Sequence, residues 1–216
     1  MLFRSAAEAR GDITVHPYDA LQTDRTLGVF GKHNLQNMHA AQLACEQIGI
    51  SETQFMDAIQ SFTGASNRLE LIHKEADRVA YKDFAHSPSK LRATINAVRE
   101  EYPALKLVAV MELHTFSSLM ADFLPQYNGC MAEADIAFVY FNPKVVEHKR
   151  LTPITKVEVA QAFATPNVRV FTDSQELQDA LKAMDYANTA LLMMSSGTFD
   201  GINLSEFATK LLTGSK

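Results

Sequence analysis

The 216-residue sequence has little cysteine, a small net charge and no long apolar run, and each shortage excludes a class of protein. Its two cysteines, Cys45 and Cys130, lie far apart and match no metal-binding spacing, so they predict neither a disulfide framework nor a metal site. A net charge of −5 argues against a surface that coats nucleic acid. Apolar runs such as "LKLVAVM" are far shorter than the ~20 residues that span a bilayer. The start, "MLFRSAAEAR", lacks the apolar core of a signal peptide, so we expect a cytoplasmic protein that binds neither nucleic acid nor membrane.

Two common catalytic motifs are missing as well. The Gly-Lys pair in "FGKHN" does not belong to a phosphate-binding loop, because Thr26 stands where such a loop needs its first glycine and His33 where it needs Ser or Thr. The sequence contains no G-x-S-x-G elbow and no Ser-His-Asp order, so it does not predict a hydrolase nucleophile. If the protein uses ATP, the loop that binds the phosphates lies elsewhere.

The turn-rich stretch "SFTGASN" separates two parts of the sequence that differ in their pattern of apolar residues. The length of the chain allows a domain of about 150 residues beside a smaller unit. We place the boundary between residues 1–64 and 65–216. In the first part, residues 12–30 predict short strands and turns, followed by helices over 34–48 and 51–61. Ser51 is the expected N-cap of the second helix.

Strands and helices alternate in the second part. Two strand-like runs, "RLELIHK" and "RVAYKDF", predict a hairpin, and the later strands are nearly continuous apolar runs, as expected when helices cover both sheet faces. The pattern predicts an α/β fold with a doubly wound, mainly parallel sheet. The elements predicted after the hairpin are helix 88–101, strand 105–111, helix 118–132, strand 135–140, helix 155–163, strand 168–171, helix 174–184, strand 189–194 and helix 203–212.

The helix predicted from residue 34 begins with polar residues that suit a nucleotide. Asn34 and Asn37 are three residues apart and so share one helix face. A carboxamide offers a donor beside an acceptor, which can pair with an adenine edge. The alternative is that Asn34 only caps the helix and Asn37 is solvated.

Ligands of such sheets bind outside the carboxyl ends of the strands, so the loops that follow the strands are candidate binding segments. In "DFAHSPSK", Ser87 and Pro88 form a favourable helix start whose free amides suit an anion. Asp83 there could accept hydrogen bonds from ribose hydroxyls, or Asp83 and His86 could simply satisfy one another. Two further loops, "MELHTFSS" and "MMSSGTFDG", offer polar groups for substrate recognition: Glu112, His114, Thr115, Ser118, Ser195 and Ser196.

Together these segments resemble the Mur ligase family, ATP-dependent enzymes that form amide bonds in peptidoglycan synthesis. "FGKHNLQNMHAAQLACEQIGI" is similar to the family's G-x-H-N-x-x-N-x-x-A-A segment. "FTGASNRLE" resembles its F-x-G-x-x-x-R-x-E junction, and "KDFAHSPSKLRATINAVR" its D-[YF]-A-H-H-P segment. The resemblance covers nearly the whole chain, with motifs of three kinds in the family's order. It implies that residues 1–64 are the tail of the central ATP-binding domain and residues 65–216 the Rossmann-like carboxy-terminal domain.

The resemblance also implies roles for individual residues. His33, Asn34 and Asn37 would contact the adenine nucleotide, Arg68 would approach the ATP phosphates, and Asp83 would hold the ribose. The resemblance implies that His86 faces the incoming amine substrate. From their position after the strands, we expect the polar loop residues to contact the same substrate: Glu112, His114, Thr115, Ser118, Ser195 and Ser196. The implied cofactors are ATP and Mg²⁺, with most magnesium ligands outside this chain, so the missing amino-terminal and central domains would be required for turnover.

Within the family, "MELHTFSSLM" and "LLMMSSGTFDGI" are most similar to enzymes that join the murein tripeptide L-alanyl-γ-D-glutamyl-meso-diaminopimelate to UDP-N-acetylmuramate in cell-wall recycling. Two departures stand out. Ser87 replaces the second histidine of A-H-H-P, and His114, Thr115 and Ser118 occupy a loop where relatives carry arginines. The alternatives are ligation of L-alanine to the same nucleotide sugar, and a non-catalytic module that binds a nucleotide or a peptide.

Overall fold

The computed structural model describes Arg10 and residues 12–214, which divide into two compact units at residues 63 and 64. The first unit contains helix α1, Lys32–Gln47, and helix α2, Glu52–Ile59. Ser51 caps α2 as predicted: its side chain accepts from the Gln54 amide, and the Gln54 side chain accepts from the Ser51 amide. The core of the unit is the apolar cluster Leu21, Met38, Phe55 and Met56.

The strands predicted within residues 12–30 are wrong. The segment runs as irregular chain and pairs with no neighbouring strand in the part of the molecule that the structure describes. A strand without a partner leaves its backbone groups unsatisfied, so the apolar residues of the segment are used for packing instead. Leu21 is buried, and its amide donates to the Leu35 carbonyl at 3.1 Å.

The second unit is built on one sheet that confirms the predicted fold class. Among the described residues the sheet has six strands in the order β1-β2-β6-β3-β4-β5. The hairpin strands β1 and β2 are antiparallel as predicted, and every other pair is parallel. The strands are β1 Glu70–Lys74, β2 Arg78–Asp83, β3 Lys106–Glu112, β4 Ile136–Tyr140, β5 Val168–Phe171 and β6 Thr189–Met194. The helices are α3 Pro88–Glu101, α4 Pro143–His148, α5 Lys156–Phe163, α6 Ser174–Lys182 and α7 Leu204–Thr213.

Helices cover both faces of this sheet, which explains the unbroken apolar strands. On one face, alternate residues such as Val110 and Leu191 join a buried cluster with Leu177 of α6 and Leu212 of α7. The intervening strand residues point to the opposite face. Helix α3 contacts β3 and β6, and its Ile95 is fully buried. No helix among the described residues combines the length and the apolar character needed to cross a bilayer.

The helix predicted over residues 118–132 is wrong, although the apolar residues that suggested it are buried. The segment forms two 3₁₀ turns, Ser117–Leu119 and Leu124–Tyr127. Met120, between them, is extended, with φ −98° and ψ 128°. Pro125 lacks the amide that a continuous helix would need, and Gly129 adopts a left-handed φ of 66°. The short helix α4 was not predicted, although Asn142 caps it by accepting from the Lys144 amide at 2.9 Å.

The register brings the carboxyl ends of the parallel strands to one edge. Met194 lies opposite both Asp83 of β2 and Met111 of β3, and Tyr140 lies opposite Glu112. The loops that follow β2, β6, β3 and β4 therefore begin side by side. We call this edge, with those loops, the carboxyl edge.

We predict that Leu191→Ala destabilises the second unit by about 2–5 kcal/mol, because Leu191 is fully buried in the central strand and its removal leaves a cavity. Urea unfolding followed by circular dichroism measures the change. Val157→Ala is the matched control, since that side chain is 63% exposed and should shift stability by less than about 0.5 kcal/mol. Equal effects of the two substitutions would contradict the assigned core.

Candidate active-site edge

The Glu112 carboxylate is the buried centre of the carboxyl edge. Its residue is 3% exposed and forms the last position of β3 rather than part of the following loop. Oε2 accepts a short hydrogen bond from the Ser195 hydroxyl and another from the Phe199 amide at 2.8 Å. Glu112 therefore ties the end of β3 to the loop that follows β6, residues 195–201.

His114 lies against this carboxylate from the outer side. Its Nδ1 atom is 3.5 Å from Glu112 Oε1, and its side chain is 37% exposed. Gly197 makes the arrangement possible: a Cβ atom there would lie 2.6 Å from both Cγ and Nδ1 of His114 and 2.8 Å from Glu112 Oε2. Because Nδ1 faces the carboxylate, Nε2 is the ring atom left for a ligand.

The loop after β6 is held in a strained conformation. Phe199 and Asp200 have left-handed φ values of 49° and 64°, a conformation that costs non-glycine residues about 1–3 kcal/mol each. Phe199 is fully buried and its ring stacks on Tyr140. The Asp200 carboxylate accepts from Asn142 Nδ2 at 3.1 Å and from the Ser174 hydroxyl at 3.3 Å. These contacts join the loops after β4, β5 and β6.

Two buried hydroxyl groups at this edge have no hydrogen-bond partner among the described residues: Tyr140 Oη and Ser196 Oγ. The Ser174 hydroxyl lies beside Tyr140 without completing a hydrogen bond to it. Burial, together with the nearby carboxylates of Asp200 and Glu112, raises the pKa of Tyr140 to about 12. The phenol therefore remains a neutral donor at physiological pH. Buried polar groups are normally satisfied, so both hydroxyls are candidate ligand contacts.

Several residues predicted to contact substrate turn inward instead. Ser118 is fully buried, and its hydroxyl donates to the Thr115 carbonyl at 2.9 Å. Thr115 Oγ1 in turn accepts from the Ser118 amide at 3.3 Å. Ser195 is 7% exposed and bridges Glu112 and the Gly197 amide. We therefore assign Ser118, Ser195 and Glu112 to holding the loops in place, which leaves His114 as the outward group.

Asp83 and His86 do not satisfy one another. The Asp83 carboxylate accepts from the amides of Leu69 and Ala85 at 2.7 and 2.6 Å and from the Thr94 hydroxyl at 3.3 Å. With these three donors in place, Oδ2 can accept one further hydrogen bond, so a ribose hydroxyl could bind there without displacing any of them. His86 Nδ1 contacts the Phe84 carbonyl at 2.8 Å, and since a carbonyl only accepts, Nδ1 carries the hydrogen. Nε2 of His86 is therefore free to accept from a ligand.

Arg68 projects from a strained turn. The residues on either side of it, Asn67 and Leu69, have left-handed φ values of 55° and 42°, while Arg68 itself is exposed. Glu70 Oε2 holds the turn by accepting from the Asn67 amide at 2.7 Å and from the Ser66 hydroxyl at 3.2 Å. The Asn67 hydrogen bond is the main reason that the pKa of Glu70 lies below its ordinary value. The turn presents the guanidinium as an anion-binding group.

The nucleotide residues predicted in the first unit lie on the first turns of α1. Asn34 Nδ2 donates to the Phe30 carbonyl at 2.8 Å, so its amide plane is oriented by the backbone. The cap position of α1 is Gly31, which excludes Asn34 as the cap. Asn37 is exposed one turn later, and His33 is partly buried. The Asn34 oxygen and the Asn37 carboxamide are available to a base edge.

The described residues offer no cluster of three or more His, Cys, Asp or Glu side chains that could hold a metal ion. They do not form a Mg²⁺ site by themselves, and we assign no role to the ion within this chain.

Residues 67–197, more than half of the chain, match the family described as Mur ligase, glutamate ligase domain. The chain belongs to the Mur ligase family. The UDP-N-acetylmuramate–L-alanine ligase of Lactococcus lactis subsp. lactis (strain IL1403) is 32% identical over 179 residues, which cover 82% of this chain and 38% of that relative. This Mur ligase chain thus spans well under half the length of the curated relative.

Two solved structures share the fold of this Mur ligase chain. The UDP-N-acetylmuramate–alanine ligase of Thermotoga maritima has a TM-score of 0.67 and 18% identity, covering 88% of this chain and 40% of its own. The murein peptide ligase of Psychrobacter arcticus 273-4 has a TM-score of 0.55 and 22% identity, covering 84% of this chain and 37% of its own. At such identities the likeness supports the fold alone.

Sequence reasoning on this Mur ligase chain missed the groups that shape the edge. Tyr140 is the last residue of a predicted strand and Asn142 lies just beyond it, and the sequence assigned no role to Gly197. An Asn-Pro pair one residue after a buried strand is one sign that could have indicated Asn142 as a cap. Nothing in the sequence shows that Gly197 packs against His114, because the two lie far apart along the chain.

We predict that Gly197→Ala destabilises the second unit by about 1–3 kcal/mol, since the new methyl group overlaps the His114 ring and the Glu112 carboxylate. Thermal unfolding measures the loss, and imidazole NMR signals report displacement of His114. The double variant His114→Ala/Gly197→Ala should recover part of the loss, because the ring atoms that clash are gone. A single variant as stable as the parent would show that this contact is absent in solution.

Proposed function

We propose that this chain supplies the amine-binding part of an ATP-dependent ligase that joins a peptide to UDP-N-acetylmuramate in the cytoplasm. Membership of the Mur ligase family supports an amide-forming ligase of peptidoglycan synthesis. The main structural support for this proposal is the pair of histidines at the carboxyl edge. His86 and His114 each turn Nδ1 towards the protein and leave Nε2 for a ligand. A neutral imidazole nitrogen of this kind accepts a hydrogen bond from an amine.

In the proposed reaction, the muramate carboxylate takes the γ-phosphoryl group of ATP to form an acyl phosphate. The peptide amine attacks the acyl carbon, phosphate leaves, and the amine proton passes to solvent or to a nearby base, which produces the amide. Chemistry of this type depends mainly on positioning and on neutralising charge. We assign the positioning of the amine to His86 and His114. We propose that the missing central domain supplies the phosphate-binding loop and most magnesium ligands, and that the missing amino-terminal domain binds the UDP-sugar.

We propose residues that contact ATP in each of the two units and treat the units one at a time. In the first unit, His33, Asn34 and Asn37 are proposed for the adenine base, supported by the oriented Asn34 amide. In the second unit, Arg68 is proposed for the phosphates and Asp83 for the ribose. The exposed Arg68 side chain on its strained turn is the stronger of these two assignments.

The peptide rather than a single amino acid is proposed as the amine substrate because residues 113–119, the start of the loop after β3, contain no lysine or arginine to bind a carboxylate. Ser118 is buried, Thr115 is occupied within the loop, and His114 is assigned to the amine, so this loop is poorly suited to hold the carboxylate of a single amino acid. L-Alanine carries one carboxylate and few other contacts, whereas the tripeptide L-alanyl-γ-D-glutamyl-meso-diaminopimelate carries several. L-Alanine ligation is the second candidate, and the named Lactococcus relative favours it.

The deciding assay is phosphate release by the protein together with its amino-terminal and central domains, supplied with ATP and UDP-N-acetylmuramate. We expect turnover with the tripeptide and at most a few per cent of that rate with L-alanine. The 216-residue chain alone should release no phosphate, because it contains no phosphate-binding loop. Faster turnover with L-alanine would establish the second candidate. Binding of tripeptide or ATP without turnover of either amine would favour a binding module.

We predict that His114→Ala raises the tripeptide KM about tenfold, the size expected for losing one contact worth about 1.4 kcal/mol, and leaves the ATP KM unchanged. His73→Ala is the matched control, because His73 lies on the antiparallel edge strand β1 and pairs with Glu75. Steady-state kinetics with each substrate varied in turn separate the two constants. A raised ATP KM with a constant tripeptide KM would assign His114 to the nucleotide.

A further inference from the structure

The two histidines assigned to the amine are oriented by different partners, and this difference separates their roles. His86 Nδ1 donates to the Phe84 carbonyl at 2.8 Å. His114 Nδ1 lies 3.5 Å from Oε1 of Glu112, whose side chain is 3% exposed. A carbonyl is neutral and mainly fixes the orientation of an imidazole, whereas a carboxylate also stabilises the positive charge that the ring gains when Nε2 takes a proton. His114 is therefore the histidine suited to accept a proton.

The two oxygens of Glu112 have different partners. Oε2 accepts from the Ser195 hydroxyl and from the Phe199 amide at 2.8 Å. Oε1 accepts no hydrogen bond among the described residues and faces the His114 ring. The distance of 3.5 Å is longer than a full hydrogen bond, but such contacts are often long without substrate and shorten when the substrate binds. Ser195 and the Phe199 amide thus hold the carboxylate so that Oε1 serves His114.

The other groups around the His114 ring bring little charge to it. The loop after β6 meets the ring with Gly197, where a Cβ atom would lie 2.6 Å from ring atoms. The acid of that loop, Asp200, is bound by side chains of the loops after β4 and β5. Lys149, just past α4, lies 5.3 Å from the centre of a phenylalanine ring in the His114 loop. A positive charge on His114 is therefore balanced by Glu112.

The proposed ligation needs a group that removes a proton. An ammonium group has no free electron pair, so the amine must reach the acyl phosphate as a neutral –NH₂ group. Once its electron pair forms the C–N bond, the nitrogen is positive and must lose a proton to give the amide. A side chain that accepts this proton typically accelerates such a step by about 10²–10⁴-fold. The reaction described above leaves this proton acceptor unassigned.

We propose that His114 is the general base of the ligation and that Glu112 is its positioning residue. Nε2 accepts the proton of the attacking nitrogen as the C–N bond forms. The bond between the acyl carbon and the phosphate oxygen then breaks, and phosphate leaves with the electron pair. Glu112 balances the imidazolium charge until the ring releases the proton to solvent. The proposal rests on the proposed function and leaves His86 with binding of the amine.

Glu112→Gln is the sharpest test, because it keeps the shape of the site and reverses the tautomer of His114. The amide oxygen replaces Oε2 and still accepts from Ser195 and Phe199. The amide nitrogen then faces Nδ1 and donates to it, which places the ring hydrogen on Nε2. In the protein with its amino-terminal and central domains, we expect kcat for the tripeptide to fall about 100-fold and the ATP KM to stay unchanged.

Hydroxylamine separates the proton transfer from the steps before it. Its nitrogen is largely unprotonated at neutral pH, so it captures the acyl phosphate as a hydroxamate without a base. We expect His114→Ala and Glu112→Gln to form hydroxamate at the rate of the parent protein while amide formation is about 100-fold slower in both. Added imidazole should restore amide formation in His114→Ala at least about tenfold and leave Glu112→Gln unchanged. A merely structural role would lower both products together.

The controls distinguish His114 from the other histidines. His86→Ala should raise the tripeptide KM without the 100-fold loss in kcat. His73→Ala should change no rate, because His73 lies on β1 and pairs with Glu75. Circular dichroism shows that each variant is folded. If L-alanine is the faster amine, the same comparisons are made with it.

The outcomes separate the base from the ligase function. A normal kcat in Glu112→Gln or His114→Ala, or a loss of kcat confined to His86→Ala, overturns the assignment of His114 and leaves the ligase function in place. Equal losses of hydroxamate and amide also overturn it, because they place the defect before the attack of the amine. No hydroxamate from the parent protein with ATP and UDP-N-acetylmuramate overturns the ligase function itself.

Discussion

A buried carboxylate at the end of the central sheet organises the surface on which the proposed chemistry depends. Glu112 accepts from Ser195 and Phe199 on one oxygen and faces His114 with the other. A charge with almost no contact with water is tolerated only when donors surround it, so removing any one of them costs more than a single exposed hydrogen bond. The Phe199 amide that donates to Glu112 belongs to the first of the two left-handed residues of the loop. Glu112 therefore lies between His114 on one side and the strained loop on the other.

The carboxyl edge brings together side chains from the ends of several strands. The end of β2 carries Asp83 and His86, the end of β3 carries His114, and the end of β4 leads to Asn142 at the start of α4. Parallel strands make this possible, because each strand delivers its following loop to the same edge while its preceding loop lies at the other. A long ligand can therefore contact groups that are distant in sequence without any of them moving.

The strands of the sheet could be predicted because each one is marked by a short run of neighbouring residues in the sequence. β4, β5 and β6 are short apolar runs, and their bounds matched within a residue. The helix predicted over residues 118–132 failed because burial of Leu119, Leu124 and Tyr127 is equally compatible with 3₁₀ turns. Which side chains turn inward at a strand end was not predictable, since the alternation of strand residues stops there. Glu112 was assigned to substrate for that reason, and its hydrogen bonds to Ser195 and Phe199 show that it turns inward. Ser118 was assigned to substrate as well, although it lies in a 3₁₀ turn and its hydroxyl donates to the Thr115 carbonyl.

The place of β6 in the sheet has a consequence for how the protein is made. β6 is the last of the described strands in sequence, yet it lies between β2 and β3 and pairs with both. While the chain is being synthesised, the hairpin on one side and β3 to β5 on the other have no direct strand pairing to join them until residues 189–194 leave the ribosome. Exposed strand edges at that stage are sites of aggregation, and such long-range pairing forms slowly. A ribosome that stalls before β6 would release two half-sheets with open edges, which makes the synthesis of residues 189–194 the step most in need of a chaperone.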